Sequence, residues 1–287
     1  MMNKIYSSVI VMALVSLVAC NKEGVETVGK TLSANAYISS GSTKTVYDIP
    51  DYDVKKKVKV SWDVKESFNA YYDGGAAPVI FSKTAAGTSF TAESVPSGVT
   101  ASTTFTGLYG SAATLNSDGK IDIDFSKQNG ELDNLSAYDV MTATSTLNEG
   151  MLSFAFKHNC AILRLKCVNY TEDEVKYVIL DFAKAEISKE FASTGLDESR
   201  SVCIRLKLKL GKPVAKDSKE KNGLTEYRYV IVPAMNHCES MPDGLPFGDN
   251  SGFHRTITFY DTKYIEAGKV YDVLCEYGWK GGVVEAD

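Results

Sequence analysis

The residues able to do chemistry are few and scattered. Histidines stand at 158, 237 and 254, and cysteines at 20, 160, 167, 203, 238 and 275. His237-Cys238 with His254 offers three zinc-type donors. Structural zinc sites, however, present paired ligands at short spacing, such as Cys-x2-Cys, and no such pair occurs here. No metal is expected. Asp118, Asp122 and Asp124 superficially match a calcium loop. The run Asp118-Gly119-Lys120-Ile121-Asp122-Ile123-Asp124 lacks the alternating acids before glycine and the distal glutamate that such a loop needs, so it reads as a turn feeding a strand. Glu172-Asp173-Glu174 reads as a solvated charge run rather than an acid–base pair. The chain contains no Gly-x-Ser-x-Gly, Walker loop, dinucleotide fingerprint or His-Glu-x-x-His. It is therefore expected not to be an enzyme and to use no cofactor. Tyr71-Tyr72 beside Asp73, together with Trp279, have the residue types of a glycan site, although strand packing also accounts for tyrosines.

One cysteine has a different chemistry. Lys4 is followed by an apolar run from Ile5 to Ala19, ending in Leu17-Val18-Ala19-Cys20. A basic flank, a short apolar stretch and small residues before the cut describe a secretory signal. The run is shorter than the roughly 20 apolar residues of a membrane span. The tetrad resembles a bacterial lipobox, in which cleavage after Ala19 leaves Cys20 as a lipid-bearing N-terminus. Each buried methylene contributes about 0.8 kcal/mol, and two chains give stable anchoring. Residues 1–19 are then a signal peptide and residues 20–30 a polar tether. Loss of Lys4 leaves 30 basic and 36 acidic residues on 268, a net charge of −6. The expected location is the outer membrane or cell surface, with the membrane reached through lipid. The five remaining cysteines cannot all pair within one chain, and their spacing nominates no particular pair.

The intact chain carries a net charge of −5, with 31 basic residues against 36 acidic ones. A nucleic-acid partner is not expected, because such proteins displace counterions with a basic face.

The elements that must position these residues read as strands. Val58, Val60, Trp62 and Val64 alternate with polar residues, as do Ile121, Ile123 and Phe125, and Leu152, Phe154 and Phe156. Ala161, Leu163, Leu165 and Cys167 share a face opposite Arg164 and Lys166. Val202, Ile204, Leu206, Leu208 and Leu210 alternate with Cys203, Arg205, Lys207 and Lys209, and Tyr271, Val273, Cys275 and Tyr277 close the series. Successive strand side chains point to opposite faces, so each segment has one dry and one wet side. Turn signals at Asp73-Gly74-Gly75, Asp118-Gly119, Asn129-Gly130, Asn222-Gly223 and Ala267-Gly268 separate the runs. One short helix is expected around Leu132–Tyr138, and loops at Lys212–Gly223 and Cys238–Gly252. Serine, threonine and asparagine cluster at Thr142–Glu149, which suggests a break between domains 31–146 and 147–287.

Several segments, in order, resemble the fimbrillin-like surface lipoproteins of Bacteroidota. They are Lys59-Val-Ser-Trp-Asp63, Thr104-Phe-Thr-Gly-Leu-Tyr109, Leu135-Ser-Ala-Tyr-Asp-Val-Met141, Leu152-Ser-Phe-Ala-Phe-Lys-His158, Ala161-Ile-Leu-Arg-Leu165, Tyr229-Val-Ile-Val-Pro233 and Ile265-Glu-Ala-Gly-Lys-Val-Tyr271. The resemblance implies an all-β chain of two tandem transthyretin-like β-sandwich domains. It also implies a fimbrial subunit involved in adhesion, with other fimbrial subunits as partners. In that family a protease removes the first strand, and a strand of another subunit fills the groove, which is β-augmentation. Leu32, Ala34, Ala36 and Ile38 alternate with Thr31, Ser33, Asn35 and Tyr37 and form the candidate displaced strand. The same pattern describes a permanently held first strand. Stalk subunits of the family are cut after arginine, whereas the first arginine here is Arg164. A cut near residues 30–50 would need a lysine such as Lys30 or Lys44. The segment after Tyr277 is short for a donor strand, although Val283-Val284 could seat in a pocket. Both departures favour a tip, accessory or anchor position over a stalk. The alternative is a glycan- or ligand-binding surface lipoprotein outside any fimbrium.

Overall fold

The computed structural model describes residues 31–38, 62, 65–83, 87–170, 173–183, 185–199, 203–215, 224–236, 253–257 and 264–277. Several sequence expectations lie outside these residues: Ala19, Cys20 and the tether, Lys30, Lys44, the 58–64 strand apart from Trp62, His237, Cys238, Trp279, Val283 and Val284.

The chain is all-β. The first half contains β1 (Leu32–Ile38), β2 (Ser67–Tyr72), β3 (Val79–Ser82), β4 (Ser89–Ala92) and β5 (Thr104–Tyr109). After a short excursion through β6 (Thr114–Leu115), β7 (Ile121–Asp122) and α1 (Leu135–Tyr138), it continues as β8 (Met141–Thr146) and β9 (Met151–His158). Seven of these strands close on themselves in the order β1-β4-β3-β2-β5-β8-β9. In place of the expected β-sandwich, these strands form a barrel, because β1 pairs antiparallel with β4 on one side and parallel with β9 on the other. Its interior is aromatic. Phe68 lies 5.1 Å, centroid to centroid, from each of Phe90, Phe154 and Phe156. Gly107 of β5 makes room for two of these rings, since a Cβ there would meet Phe154 and Phe156 at 3.0 Å.

The segment expected to separate domains is itself strand. Met141, Ala143 and Ser145 of β8 point inward, and the threonines between them suit a pleated surface. The turn falls later, at Glu149-Gly150, where φ is 49° and 78°. Two left-handed residues are what a tight two-residue hairpin requires. β9 therefore completes the barrel rather than opening the second half.

The second half contains β10 (Cys160–Asn169), β11 (Val175–Ala183), β12 (Glu186–Ile187), β13 (Phe191–Ser193), β14 (Cys203–Val214), β15 (Leu224–Pro233), β16 (Met235–Asn236), β17 (Phe253–Ile257), β18 (Tyr264–Ile265) and β19 (Val270–Tyr277). Sheets β15-β10-β19 and β14-β11-β17 share one core, as two apolar faces must. Small sheets β12-β16-β18 and β13-β7-β6 flank them. The β6–α1 excursion from the first half packs its Ile121, Phe125, Leu135 and Tyr138 into this second core. The strand expected over Ile121–Phe125 is cut short after Asp122, because Asp124 caps a 3-10 turn over Phe125–Lys127, its carboxylate accepting from the Ser126 N–H at 3.1 Å. The short helix falls within the expected range.

The two halves repeat one pairing scheme that no sequence repeat announces. β1 lies between an antiparallel neighbour, β4, and a parallel one, β9, the last strand of its half. β10 likewise lies between antiparallel β15 and parallel β19, the last of the described strands. Among the described residues no helix is long and apolar enough to cross a membrane.

Candidate functional site

The candidate displaced strand, β1, holds the seat that closes the barrel. Ser33 to Ile38 face Met151 to Phe156 of β9, and Leu32 to Asn35 face Ala92 to Ser89 of β4. Leu32, Ala34 and Ala36 are 0%, 2% and 0% exposed, while Ile38 is only half-buried. The small residues fit because the opposite wall is already filled with rings. Trp62, which sequence pattern marked only as an apolar strand position, closes over β1. Its indole N–H donates to the Ala36 carbonyl at 2.8 Å, and its ring meets Phe90, Tyr109 and Phe156 edge-on at 5.4, 5.4 and 5.6 Å. The buried Lys83 ammonium in turn donates to the Trp62 carbonyl at 2.7 Å. The Ala36 N–H donates to the Thr88 carbonyl at 2.8 Å. Lifting β1 would leave two strand edges with unmade backbone bonds and an apolar trench between them.

The candidate glycan tyrosines line a shallow depression of about 520 Å³, with Asp73, Pro78, Thr104 and Asn116 around it. Their aromatic faces are engaged elsewhere. Tyr71 packs against the second core. Tyr72 lies 5.4 Å from Phe105 and covers Gly75, where a Cβ would meet its ring at 2.6 Å. The tyrosines are held by packing, as strand faces require.

Two catalytic-type residues pair, with a thiol nearby in the chain. His158 at the end of β9 has Nδ1 2.9 Å from Asp139 Oδ1, and both side chains are buried. Cys160 follows two residues later. Burial, then the nearby Asp139 carboxylate, push its thiol well above the usual cysteine range. The His158–Asp139 pair is a buried polar contact between the end of β9 and the residue that follows α1. Among the described residues no three His, Cys, Asp or Glu side chains gather closely enough to hold a metal ion.

Two faces expected to be wet are braced by ion pairs. Arg164 of β10 is buried rather than solvated, and forks onto Asp272 of β19, directly opposite, through Nε to Oδ1 and Nη2 to Oδ2. Arg205 of β14 forks onto the fully buried Asp181 of β11 at 2.6 and 2.8 Å. Both arginines are pushed further up by these hydrogen bonds. Period-2 alternation cannot reveal such pairs, because it says which side chains share a face and not what lies across from them.

Comparison with solved structures finds likenesses at low sequence identity, among them three from Bacteroides. A candidate cell adhesion protein from Bacteroides ovatus is 13% identical, with 85% of this chain and 91% of that one covered at a TM-score of 0.42. A candidate cell adhesion protein from Bacteroides uniformis is 12% identical, with 85% and 92% covered at 0.37. A fimbrial protein from Bacteroides ovatus is 10% identical, with 86% of this chain but 50% of that one covered at 0.30. No family model and no curated protein matches the chain. Superposition at this level transfers no role.

Proposed function

We propose that the chain is a non-enzymatic fimbrial subunit of the cell surface, tethered through lipid on Cys20 and joined to other subunits by exchange of β1. In this reading the halves are modified versions of one transthyretin-like unit. The observation that carries the proposal is the seat of β1: a short strand, Leu-Ser-Ala-Asn-Ala-Tyr-Ile, that alone closes the barrel between β4 and β9. The next described strand, β2, begins only at Ser67, so a cut at Lys44 would separate β1 from the other six strands and leave each of them whole. An incoming strand would remake the same backbone bonds and would need side chains no larger than alanine opposite the Trp62–Phe154–Phe156 wall. A tip, accessory or anchor position suits the lack of an early arginine.

The test is limited digestion of the mature protein by a trypsin-like protease, followed by gels of unboiled samples. A ladder of higher species is expected. Loss of β1 with monomer alone remaining would overturn strand exchange. The anchor is tested separately by radiolabelled palmitate, which should label the wild type and not Cys20→Ala.

A further inference from the structure

Five cysteines remain if Cys20 carries lipid, and sequence spacing pairs none of them. Register pairs two. Cys167 of β10 stands directly opposite Cys275 of β19 in a parallel ladder. Facing residues of paired strands point to the same side of the sheet, here into the second core, where both are buried at 0% and 1% exposure. Adjacent strands lie about 4.8 Å apart, within the roughly 4.4–6.8 Å that a disulfide spans between Cα atoms. Cys167 and Cys275 are free, buried thiols in this structure, near enough for Cys275 to perturb the Cys167 thiol. No other described cysteine competes: Cys160 is at the far end of β10, and Cys203 lies in the other sheet with its sulfur 3.7 Å from Asp181.

We propose that Cys167 and Cys275 are a disulfide site that staples the first strand of the second half to the last. The thiolate of Cys167 attacks one sulfur of a disulfide oxidant and releases one thiol. Cys275 then attacks the mixed disulfide at the Cys167 sulfur and releases the second. The two cysteine protons end on the two released thiols, so one disulfide is consumed and one is made. The neighbouring Cys275 thiol and burial hold the folded Cys167 thiol well above its usual range, so an oxidant meets a poorer nucleophile in the packed strands than in the open chain.

The structural repeat gives the staple its meaning. β1 and β10 occupy equivalent seats, yet no cysteine faces another between β1 and β9. The first strand of one half is held by hydrogen bonds and packing alone, whereas that of the other is held covalently. The staple makes the first half the one that can exchange its strand. That role rests on the exchange proposed above, while the bond itself needs only the register and an oxidant.

The full chain is prepared in two ways, purified folded and refolded from guanidinium, each in a mixture of reduced and oxidised glutathione. Remaining thiols are blocked with N-ethylmaleimide in guanidinium, and unreduced peptides are mapped by mass spectrometry. A peptide pair joined through Cys167 and Cys275, two hydrogens lighter than its parts, is expected in at least one sample. Maleimide on both residues in both samples, or either residue joined elsewhere, overturns the site. Reductant should lower the unfolding midpoint by about 5–10 °C and leave Cys275→Val unmoved. An unchanged wild-type midpoint overturns the stapling role. The peptide map reads the bond whether or not the gel ladder forms, so the two proposals fail separately.

Discussion

The Trp62 indole N–H reaches 26 residues back to the carbonyl of Ala36 at 2.8 Å. This bond lies in the interior and ties the barrel's closing strand to its aromatic core. Trp62→Phe keeps a ring but leaves that carbonyl without its indole donor. The expected loss is about 1–3 kcal/mol, read by urea unfolding, with faster protease release of β1. Unchanged release would mean that the ladder hydrogen bonds alone hold the strand.

Ala36 sets the size limit of the β1 seat. Ala36→Leu inserts three heavy atoms against Phe154 and the Trp62 ring, and the expected cost is about 1–3 kcal/mol. Leu32→Ala removes a fully buried side chain and should cost about 2–5 kcal/mol. Thermal melts of both variants check these values. A peptide copying residues 31–38 should compete in the polymerisation assay, and one carrying leucine at position 36 should not.

Asp181 and Arg205 are worth more together than either is alone. Asp181→Ala leaves the guanidinium without its bidentate partner in a sheet interior, and the expected loss is about 3–5 kcal/mol. The double replacement Asp181→Leu with Arg205→Met should recover most of it, because it removes the buried charge as well. Chemical denaturation of the three proteins reads the coupling directly.

Gln128 stands in for a strand. Its side chain donates to the Ile231 carbonyl at 2.8 Å and accepts from the Ile231 N–H at 2.7 Å, as a neighbouring backbone would. Gly130 continues the cover, its carbonyl accepting from Tyr229 of β15, while the Asn129 carbonyl between them accepts from Gly211 of β14. Gln128→Leu uncovers the β15 edge, with an expected loss of about 1–3 kcal/mol. Concentration-dependent association on gel filtration should accompany it.

Glu226 gives the second half an acid-sensitive contact. Burial alone would raise its carboxyl, but the Ala215 N–H and then Arg228 outweigh burial and hold it below the usual range. The unfolded chain therefore takes up this proton at higher pH than the folded one. The stabilisation is present above the ordinary glutamate value of about 4.3 and fades as pH falls through the lower folded value. Glu226→Gln should flatten that part of the stability–pH curve. An unaltered curve would assign the acid sensitivity to other carboxylates.

Much of the strand content was legible because burial on one face imposes a period of two. β9 and the apolar side of β14 follow that pattern residue by residue. The reading failed where both faces are covered, as at Arg164, and where threonines suggested a linker but built β8. The chemistry expected of Cys20 likewise rests on sequence alone, because a processing signal is read from local residue types.

Partners across the sheet were decided only by tertiary structure. Alternation says that Leu32, Ala34 and Ala36 share a side. It does not say that β9, over a hundred residues away, lies parallel to them and closes a barrel. Cys167 and Cys275 are as far apart in the chain, and nothing in either neighbourhood points to the other. Strand pairing is non-local: register between distant segments is set by how whole apolar faces fill a common core, and that is a property of the assembled chain rather than of any stretch of it.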